Sequence, residues 1–232
     1  MILDKLKEAT DIHYNKHREG IHVSDLTLCP REACFRALEP KDKNGIPIDK
    51  TKRATNIDVN FFSSGKAIHE AIQILASYFS EYEIEKEVKH GDIVGHIDLF
   101  DKTNHIPIEA KSARKGTMDK PQAHYIKQLE AYMALTNADT GIILVQLLQH
   151  FKDEPFVEFY HHMTTEQRDA TLKQLERDAI QLKSGIMNLM PNLVRHIAYD
   201  DTLNWKCNYC KWLTPCQAFR KLEESNGAEV NE

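Results

Sequence analysis

The sequence lacks the features that would place it directly among membrane, secreted or repeat proteins. No apolar run reaches the ~18 residues that a membrane-spanning helix needs. The first residues, MILDKLKEATD, lack the apolar stretch and the cleavage site of a secretory signal peptide. Internal repeats and low-complexity tracts are also absent. From these absences we expect a cytoplasmic protein with no membrane partner.

The sequence also lacks an excess of positive charge. It carries 30 Lys and Arg against 35 Asp and Glu, a formal net charge of −5. Bulk charge therefore does not indicate a nucleic-acid partner, which would need local basic patches. Hydrophobic residues make up 41% of the chain, enough for a core, and its 232 residues suit one large domain or one domain with appendages.

Cysteine is scarce, but three of the five cysteines fall within CNYCKWLTPC, residues 207–216. In a cytoplasmic protein this spacing favours metal or redox use over disulfides. A four-thiolate site needs one more ligand, and the candidates are Cys29 and Cys34. We favour Cys29, because it precedes Pro30 at a predicted helix N-terminus, where peptide dipoles favour a thiolate. Cys34 lies inside that helix, where a small buried hydrophobe is expected.

Hydrophobic periodicity predicts a mixed α/β fold, with a sheet flanked by helices. Helices are predicted over 2–18, from Pro30, from Ser63 or Ser64 to about Tyr82, over 121–137 and from Thr164, with a short turn capped by Ser24. Strands are predicted over 81–90, 92–100, 105–113, 141–149 and 156–163. We expect an N-terminal helical segment and basic loop (1–60), a core (61–190), a cysteine module (191–220) and a disordered tail (221–232).

The segment GHIDLFDKTNHIPIEAKSA predicts a hairpin with acidic residues on one face. With a two-residue turn at Lys102 and Thr103, Asp98 faces Pro107. Asp98 and Glu109 are then diagonal neighbours, roughly 7–8 Å apart at the backbone. Two carboxylates at this spacing can close on one divalent cation.

Lys111 lies on the same predicted face, two residues after Glu109. A lysine beside a metal can orient a water molecule or stabilise negative charge that develops on a phosphate. The pattern also fits a solvated strand face. However, Asp98 and Glu109 each lie within apolar sequence, where burying a carboxylate without a partner is costly. We therefore favour a metal-dependent phosphodiesterase site.

This hairpin resembles the signature of PD-(D/E)XK nucleases, carried here by Asp98 and by Glu109-Ala110-Lys111, and its flanking residues resemble the RecB-type branch. That branch has a histidine in an upstream helix, which GKAIHEAIQ matches, and a Q-x-x-x-Y motif, which QLEAY matches. The resemblance implies a restriction-endonuclease-like core sheet. It implies a site for Mg²⁺ or Mn²⁺ formed by His69, Asp98, Glu109 and the Ala110 carbonyl, with Lys111 as catalytic lysine and with Gln128 and Tyr132 positioning DNA or the lysine.

The cysteine spacing resembles the iron–sulfur staple of RecB-like nucleases, whose [4Fe–4S] cluster joins the C-terminus to the N-terminal helices. This implies a cluster held by Cys29, Cys207, Cys210 and Cys216, and zinc remains the alternative occupant. With HVSDLTLCPREACFR included, residues 20–220 are most similar to the fourth CRISPR-associated protein family, a set of small nucleases. The family implies a single-strand DNA exonuclease that acts in CRISPR spacer acquisition with integrase proteins, and oligomers are possible.

Two other functions stay open at this point. One is a non-catalytic subunit that binds DNA ends, and the other is a viral or recombination nuclease of the same fold. In either case DNA would bind to local basic patches. The residues predicted to contact it are Arg31, Arg36, Arg114, Lys115 and Lys120. Three aromatic residues near the C-terminus could stack on unpaired bases, but we expect them to shield the cluster instead: Trp205, Tyr209 and Trp212.

Overall fold

The computed structural model describes residues 2–15, 19–113, 118–148, 155–198 and 200–228. Its helices are α1 (Ile2–Asn15), α2 (Val23–Thr27), α3 (Pro30–Leu38), α4 (Asn56–Ala76), α5 (Ala123–Thr136), α6 (Thr165–Met187) and α7 (Leu213–Ala228), with short 3₁₀ helices at Lys50–Lys52, Pro191–Leu193 and Asn204–Tyr209. Its strands are β1 (Ile21–His22), β2 (Tyr82–His90), β3 (Ile93–Asp101), β4 (Ile106–Ala113), β5 (Thr140–Leu147) and β6 (Phe156–His162). No helix within these ranges is long and apolar enough to span a membrane.

The strands form one mixed six-stranded sheet in the order β1-β3-β4-β5-β6, and β2 also pairs with β3. β2 runs antiparallel along the length of β3. β1 pairs with the start of β3, and β4 pairs only with its last three residues. β1 and β4 therefore share the second edge of β3 at opposite ends. This mixed sheet with flanking helices confirms the predicted α/β architecture, although the two-residue strand β1 was not predicted.

Helices cover both faces of the sheet. Along β5, Ile143 and Val145 pack in one cluster with Leu129 of α5. The alternate residue Ile142 packs in a second cluster with Ile72 of α4. Because side chains alternate across a strand, α4 and α5 lie on opposite faces of this part of the sheet. A third cluster joins α2, α3, α5 and α6 to β3.

The predicted bounds of α4 are wrong at both ends. The helix begins at Asn56, because Thr55 and Asp58 form a capping box inside the segment predicted as loop. It ends at Ala76, so the predicted apolar line is buried only in part. Leu75 is 61% exposed, and Phe79 lies beyond the helix with 55% of its surface exposed.

The chain end also differs from the prediction. Residues 221–228 belong to α7, where a disordered tail was expected. Two contacts hold this helix to α3: Phe35 stacks against Phe219 with ring centroids 6.1 Å apart, and Arg31 pairs with Glu223 at 2.7 Å. Near the N-terminus, the short helix α2 begins at Val23, so Ser24 lies inside it and is not its cap.

Candidate active site

A fork between β3 and β4 forms the centre of the site. The ladder between the two strands pairs Asp101 with Ile106 and ends at Leu99 opposite Ile108. The connecting turn therefore has four residues, 102–105, and the predicted two-residue turn is wrong. The Asp101 carboxylate stabilises the longer turn by accepting from the backbone N–H groups of Thr103 and Asn104, each at 2.9 Å.

The longer turn changes the partner of Asp98. Continued past the last pair, the observed register places Asp98 opposite Glu109, and not opposite Pro107. This register differs from the prediction by two residues. Because the side-chain period of a strand is two, Asp98 stays on the face of Glu109, and the pairing of the two carboxylates survives the error.

Both carboxylates are buried. Asp98 is 8% exposed and Glu109 is 1% exposed. Asp98 Oδ2 accepts a hydrogen bond from the backbone N–H of Ala110 at 2.8 Å, and Asp98 Oδ1 lies 3.3 Å from Nδ1 of His69 on α4. Glu109 Oε1 contacts the ammonium of Lys111. Glu109 Oε2 is buried and has no hydrogen-bond partner among the residues that the structure describes.

Burial and mutual charge shift the pKa values of these groups. Burial raises the pKa of Glu109 to about 7. The positive charge of Lys111 lowers this pKa, whereas the negative charge of Asp98 raises it. Burial alone would lower the pKa of Lys111, but the carboxylates of Glu109 and Asp98 outweigh it and the pKa is raised. The hydrogen bond to Asp98 raises the pKa of His69 despite its burial. Lys111 therefore stays charged at neutral pH.

Helix α5 holds Lys111 on the face of the sheet opposite to α4, where Val145, the partner of Lys111 in β5, packs against α5. The ammonium donates to Gln128 Oε1 at 3.2 Å, and Gln128 Nε2 donates to the hydroxyl of Tyr132 at 3.3 Å. Burial raises the pKa of Tyr132 well above its usual value, so this hydroxyl stays neutral. The structure thus brings together all of the predicted active-site residues. It adds Tyr125, whose ring lies 5.7 Å from Lys111 Nζ and which the sequence motifs do not indicate.

The donor set suits a divalent cation. As the side chains stand, no group of three or more His, Cys, Asp or Glu residues in the described ranges is arranged to hold a metal ion. At the fork, the ammonium of Lys111 takes one oxygen of Glu109. The second oxygen of Glu109 remains buried and unpartnered within the described residues. Two carboxylates, an imidazole and a backbone carbonyl are the oxygen and nitrogen donors that suit Mg²⁺ or Mn²⁺.

Four of the five cysteines line one cavity. Its empty volume is about 410 Å³, open mouth included, and Cys29, Cys207, Cys210 and Cys216 are among its lining residues. Cys34 lies apart from them in the core, fully buried. The fold therefore places Cys29, and not Cys34, beside the three C-terminal cysteines. This arrangement agrees with the choice of Cys29 as the fourth ligand.

Burial raises the pKa of all four thiols that line the cavity. Cys29 is the N-cap of α3, as expected. Burial nevertheless raises the pKa of its thiol, and the backbone N–H of Glu32 offsets this only in part. The helix terminus therefore lowers this pKa as expected, but burial outweighs it and the net shift is upward. Burial also raises the pKa of Cys210 to about 12. A metal that binds these thiols must displace their protons.

The residues predicted to contact DNA differ in how exposed their side chains are. Arg31 is 3% exposed, and its guanidinium donates to the carbonyls of Val194 and Asn192 and to Glu223. It cannot reach a phosphate, so this prediction is corrected. Arg36 is half-buried and pairs with Asp25. Lys120 is exposed, and Arg114 and Lys115 lie outside the described residues.

Comparison with known proteins identifies the family. The family model of the PD-(D/E)XK nuclease superfamily matches residues 26–217. Among solved structures, the crystal structure of SSO0001 is similar with a TM-score of 0.59 and 21% identity, covering 91% of this chain and 94% of that one. A search of curated proteins finds no significant match.

Two further structures align less closely. LHK-Exo in complex with dAMP has a TM-score of 0.49 and 12% identity, and covers 80% of this chain and 95% of that one. A phage-related exonuclease from Haemophilus somnus 129PT has a TM-score of 0.45 and 14% identity, and covers 77% and 99%. The family match spans the fork, α5 and the cysteines. The chain belongs to the PD-(D/E)XK nuclease superfamily.

Proposed function

We propose that the protein is a divalent-metal-dependent deoxyribonuclease that shortens DNA from its ends. The observation that carries this proposal is the buried carboxylate of Glu109. One of its oxygens has no partner among the described residues, Asp98 lies beside it, and Lys111 is held against it. A buried carboxylate oxygen without a partner is costly, and a metal ion bound beside Lys111 would supply that partner. Family membership supplies the reaction class, phosphodiester hydrolysis.

Each residue has a role in this reaction. His69, Asp98, Glu109 and the carbonyl of Ala110 would hold Mg²⁺ or Mn²⁺. When bound, the ion would supply an activated water and neutralise charge on the phosphate.

The protein's own groups then position the substrate. The Ala110 N–H orients the Asp98 carboxylate through the bond at 2.8 Å. Lys111 brings a fixed positive charge to the attacked phosphate, and Gln128 and Tyr132 hold that lysine in place.

We further propose that the substrate is a single-stranded DNA end and that the enzyme acts in CRISPR spacer acquisition with integrase proteins. The support is the sequence resemblance over residues 20–220. A viral or recombination nuclease would use the same site, and the genes beside this one would separate the two contexts.

The cysteine module, in this proposal, holds a [4Fe–4S] cluster through Cys29, Cys207, Cys210 and Cys216. A single zinc ion needs four sulfurs that converge on one point at ~2.3 Å. A cubane cluster takes one thiolate at each of its four irons. The spacing of the three C-terminal cysteines and the distant position of Cys29 in the sequence favour the cluster over zinc, and the four thiols line one cavity.

The test is cleavage of end-labelled DNA. Protein purified without oxygen is incubated with single strands labelled at either end, in Mn²⁺, Mg²⁺ or EDTA. We expect metal-dependent shortening that Lys111→Ala abolishes. Lys102→Ala is the matched control, because Lys102 is an exposed lysine in the nearby turn. Folded, metal-supplied wild-type protein that binds DNA without cutting it would overturn the proposal and indicate the end-binding subunit instead.

A further inference from the structure

Aromatic rings form a continuous row from the catalytic lysine to the surface. The ring of Tyr125 lies 5.7 Å from Lys111 Nζ. The ring of His124 follows with its centroid 4.3 Å from Tyr125, and the indole of Trp205 lies 5.4 Å from His124. Tyr209 is 6.2 Å beyond Trp205. We call these four residues, Tyr125, His124, Trp205 and Tyr209, the aromatic row.

Exposure rises along the row with distance from the active site. Tyr125 is 9% exposed, Trp205 is 43% exposed and Tyr209 is 79% exposed. The row thus begins in the buried site on α5 and ends in solvent on the 3₁₀ helix Asn204–Tyr209. Aromatic surface of this extent is a frequent mark of a binding site when its members are contiguous.

Shielding of the cysteines does not explain the row. The apolar side chains that line the cysteine cavity are Phe35, Ile197, Ala198 and Leu213, and neither Trp205 nor Tyr209 is among the lining residues. The third aromatic residue of this region, Trp212, is 8% exposed, and its indole N–H donates to Glu39 at 3.3 Å. Trp212 therefore has a structural role, whereas Trp205 and Tyr209 keep ring surface exposed to solvent.

The charges beside the row suit a polyanion whose bases are unpaired. Lys206 adjoins Trp205 and pairs with Glu32 at 2.6 Å, and Lys127 of α5 pairs with Asp200. Both ammonium groups keep part of their surface in solvent. Because each of these two lysines is paired with a carboxylate, its attraction for DNA phosphates is modest. The aromatic rings therefore supply most of the binding energy. Bases within a duplex are stacked on one another, so only single strands present free faces to such rings.

We propose that Trp205 and Tyr209 are a stacking platform for the bases of single-stranded DNA, and that His124 and Tyr125 continue this path to Lys111. The proposal rests on the proposed nuclease function and adds to it the residues that bind the strand and the direction from which the strand approaches. A strand stacked on the platform would deliver its terminal phosphodiester to the fork. A duplex would need to unpair its end before it could follow the same path.

The experiment measures binding of fluorescently labelled oligothymidylate by anisotropy in EDTA, so that no cutting occurs. Trp205→Ala and Tyr209→Ala are compared with wild type and with Tyr78→Ala. Tyr78 is the matched control, because it is also 79% exposed but lies after α4, outside the row. A second ligand has the same length and phosphates but abasic sugars. It tests stacking on wild-type protein even if Trp205→Ala fails to fold.

Base stacking on an aromatic side chain accounts for ~1–3 kcal/mol per base, so we expect each variant to bind oligothymidylate roughly 5- to 150-fold more weakly. Tyr78→Ala should match wild type. Wild type should bind the abasic strand more weakly by a similar factor, and the variants should show little further loss on it. Unchanged binding in Tyr209→Ala, or equal wild-type affinity for the two ligands, would overturn the platform.

The two proposals fail in different ways. If wild type cuts single strands and Lys111→Ala does not, but the platform variants bind normally, only the platform is wrong. If wild type neither binds nor cuts DNA in Mn²⁺, the nuclease proposal is wrong and the platform is overturned with it.

Discussion

The backbone N–H of Ala110 donates to the carboxylate of Asp98 at 2.8 Å, so a side chain of β3 continues the pairing with β4 after the backbone ladder has ended. This bond fixes the first acid of the site to the strand that carries the second acid, Glu109. Asp98 is therefore a structural element of the fork as well as a proposed metal ligand. The two roles can be separated by substitution.

Asp98→Asn keeps an oxygen acceptor for the Ala110 N–H but removes the negative charge. We expect near wild-type thermal stability and loss of nuclease activity by about 100-fold or more, since a charged ligand to the metal is lost. Asp98→Ala also leaves the N–H buried without a partner, which costs about 1–3 kcal/mol. The check is a melting curve and a cleavage assay on both variants. Equal stability of the two would contradict the structural role.

Gly95 leaves room for the ring of Tyr132. A Cβ at this position would lie 2.8 Å from Tyr132 Cε1 and 2.9 Å from Val23 Cγ2. Gly95→Ala should lower the free energy of unfolding by about 1–3 kcal/mol. It should also lower activity, because Tyr132 holds Gln128 and Gln128 holds Lys111. Denaturant unfolding and cleavage rates measure the two effects.

Gly65→Ala is the matched control for that substitution. Gly65 lies inside α4, and among the described residues no atom lies within 4 Å of a Cβ placed there. Alanine is favoured over glycine in a helix interior by about 0.5–1 kcal/mol. We therefore expect a gain in stability and unchanged activity. A loss of stability at both glycines would mean that the contact with Tyr132 is not the cause.

His124 makes stability depend on pH. Burial lowers its pKa to about 4, and the charges of Lys111 and Lys206 add to this effect. The unfolded chain binds a proton at about pH 6.5, whereas the folded protein does not. Stability from this residue is therefore complete above about pH 6.5 and falls as the pH drops toward about 4.

His124→Phe keeps a ring in the aromatic row and removes the titration. We expect the melting temperature of wild type to fall more than that of the variant between about pH 7.5 and about pH 5. Other acid-sensitive pairs, such as Lys127 with Asp200, are common to both proteins and cancel in the comparison. Parallel curves for the two proteins would show that His124 is not the titrating group.

Substitution of single cysteines should distinguish a ligand of the cluster, such as Cys29, from a core residue, such as Cys34. Cys29→Ser should purify without stoichiometric iron and melt at a lower temperature, because metal binding and folding are coupled. Cys34→Ala should keep its iron and lose only about 1 kcal/mol, since it removes one small buried side chain. Iron and zinc analysis with absorption spectra is the measurement. Zinc in place of iron in anaerobically purified wild type would overturn the cluster assignment.

Local patterns in the sequence predicted much of the sheet and the chemistry of the fork. Alternation along β3 and β4 placed Asp98 and Glu109 on one face, and this survived a wrong turn length because a shift of two residues preserves the face. The predicted start of a helix at Thr164 is confirmed, since Thr164 is the N-cap of α6 and forms a capping box with Gln167. The start of α4 was missed because its capping box lies in polar sequence that reads as a loop.

Other assignments failed because burial is not visible in the sequence. Arg31 was predicted to contact DNA because it is cationic and adjoins Cys29. Its guanidinium is instead enclosed by carbonyls of residues 192 and 194, far along the chain. Burial likewise reversed the expected effect of the helix terminus on the Cys29 thiol, because desolvation of the charged form outweighed the backbone N–H.

The sequence by itself determined the reactive groups of this protein and their local spacing: two carboxylates and a lysine on adjoining strands, and three cysteines within ten residues. The sequence and its family resemblance named the distant groups, but only the tertiary structure decided how those groups reach these local ones. It brought His69 and Gln128 to the fork from opposite faces of the sheet, and Cys29 to the C-terminal cysteines. It also linked Trp205 to His124 and so to Lys111. Contacts of this kind depend on how the chain returns across the core, and no local periodicity encodes that path.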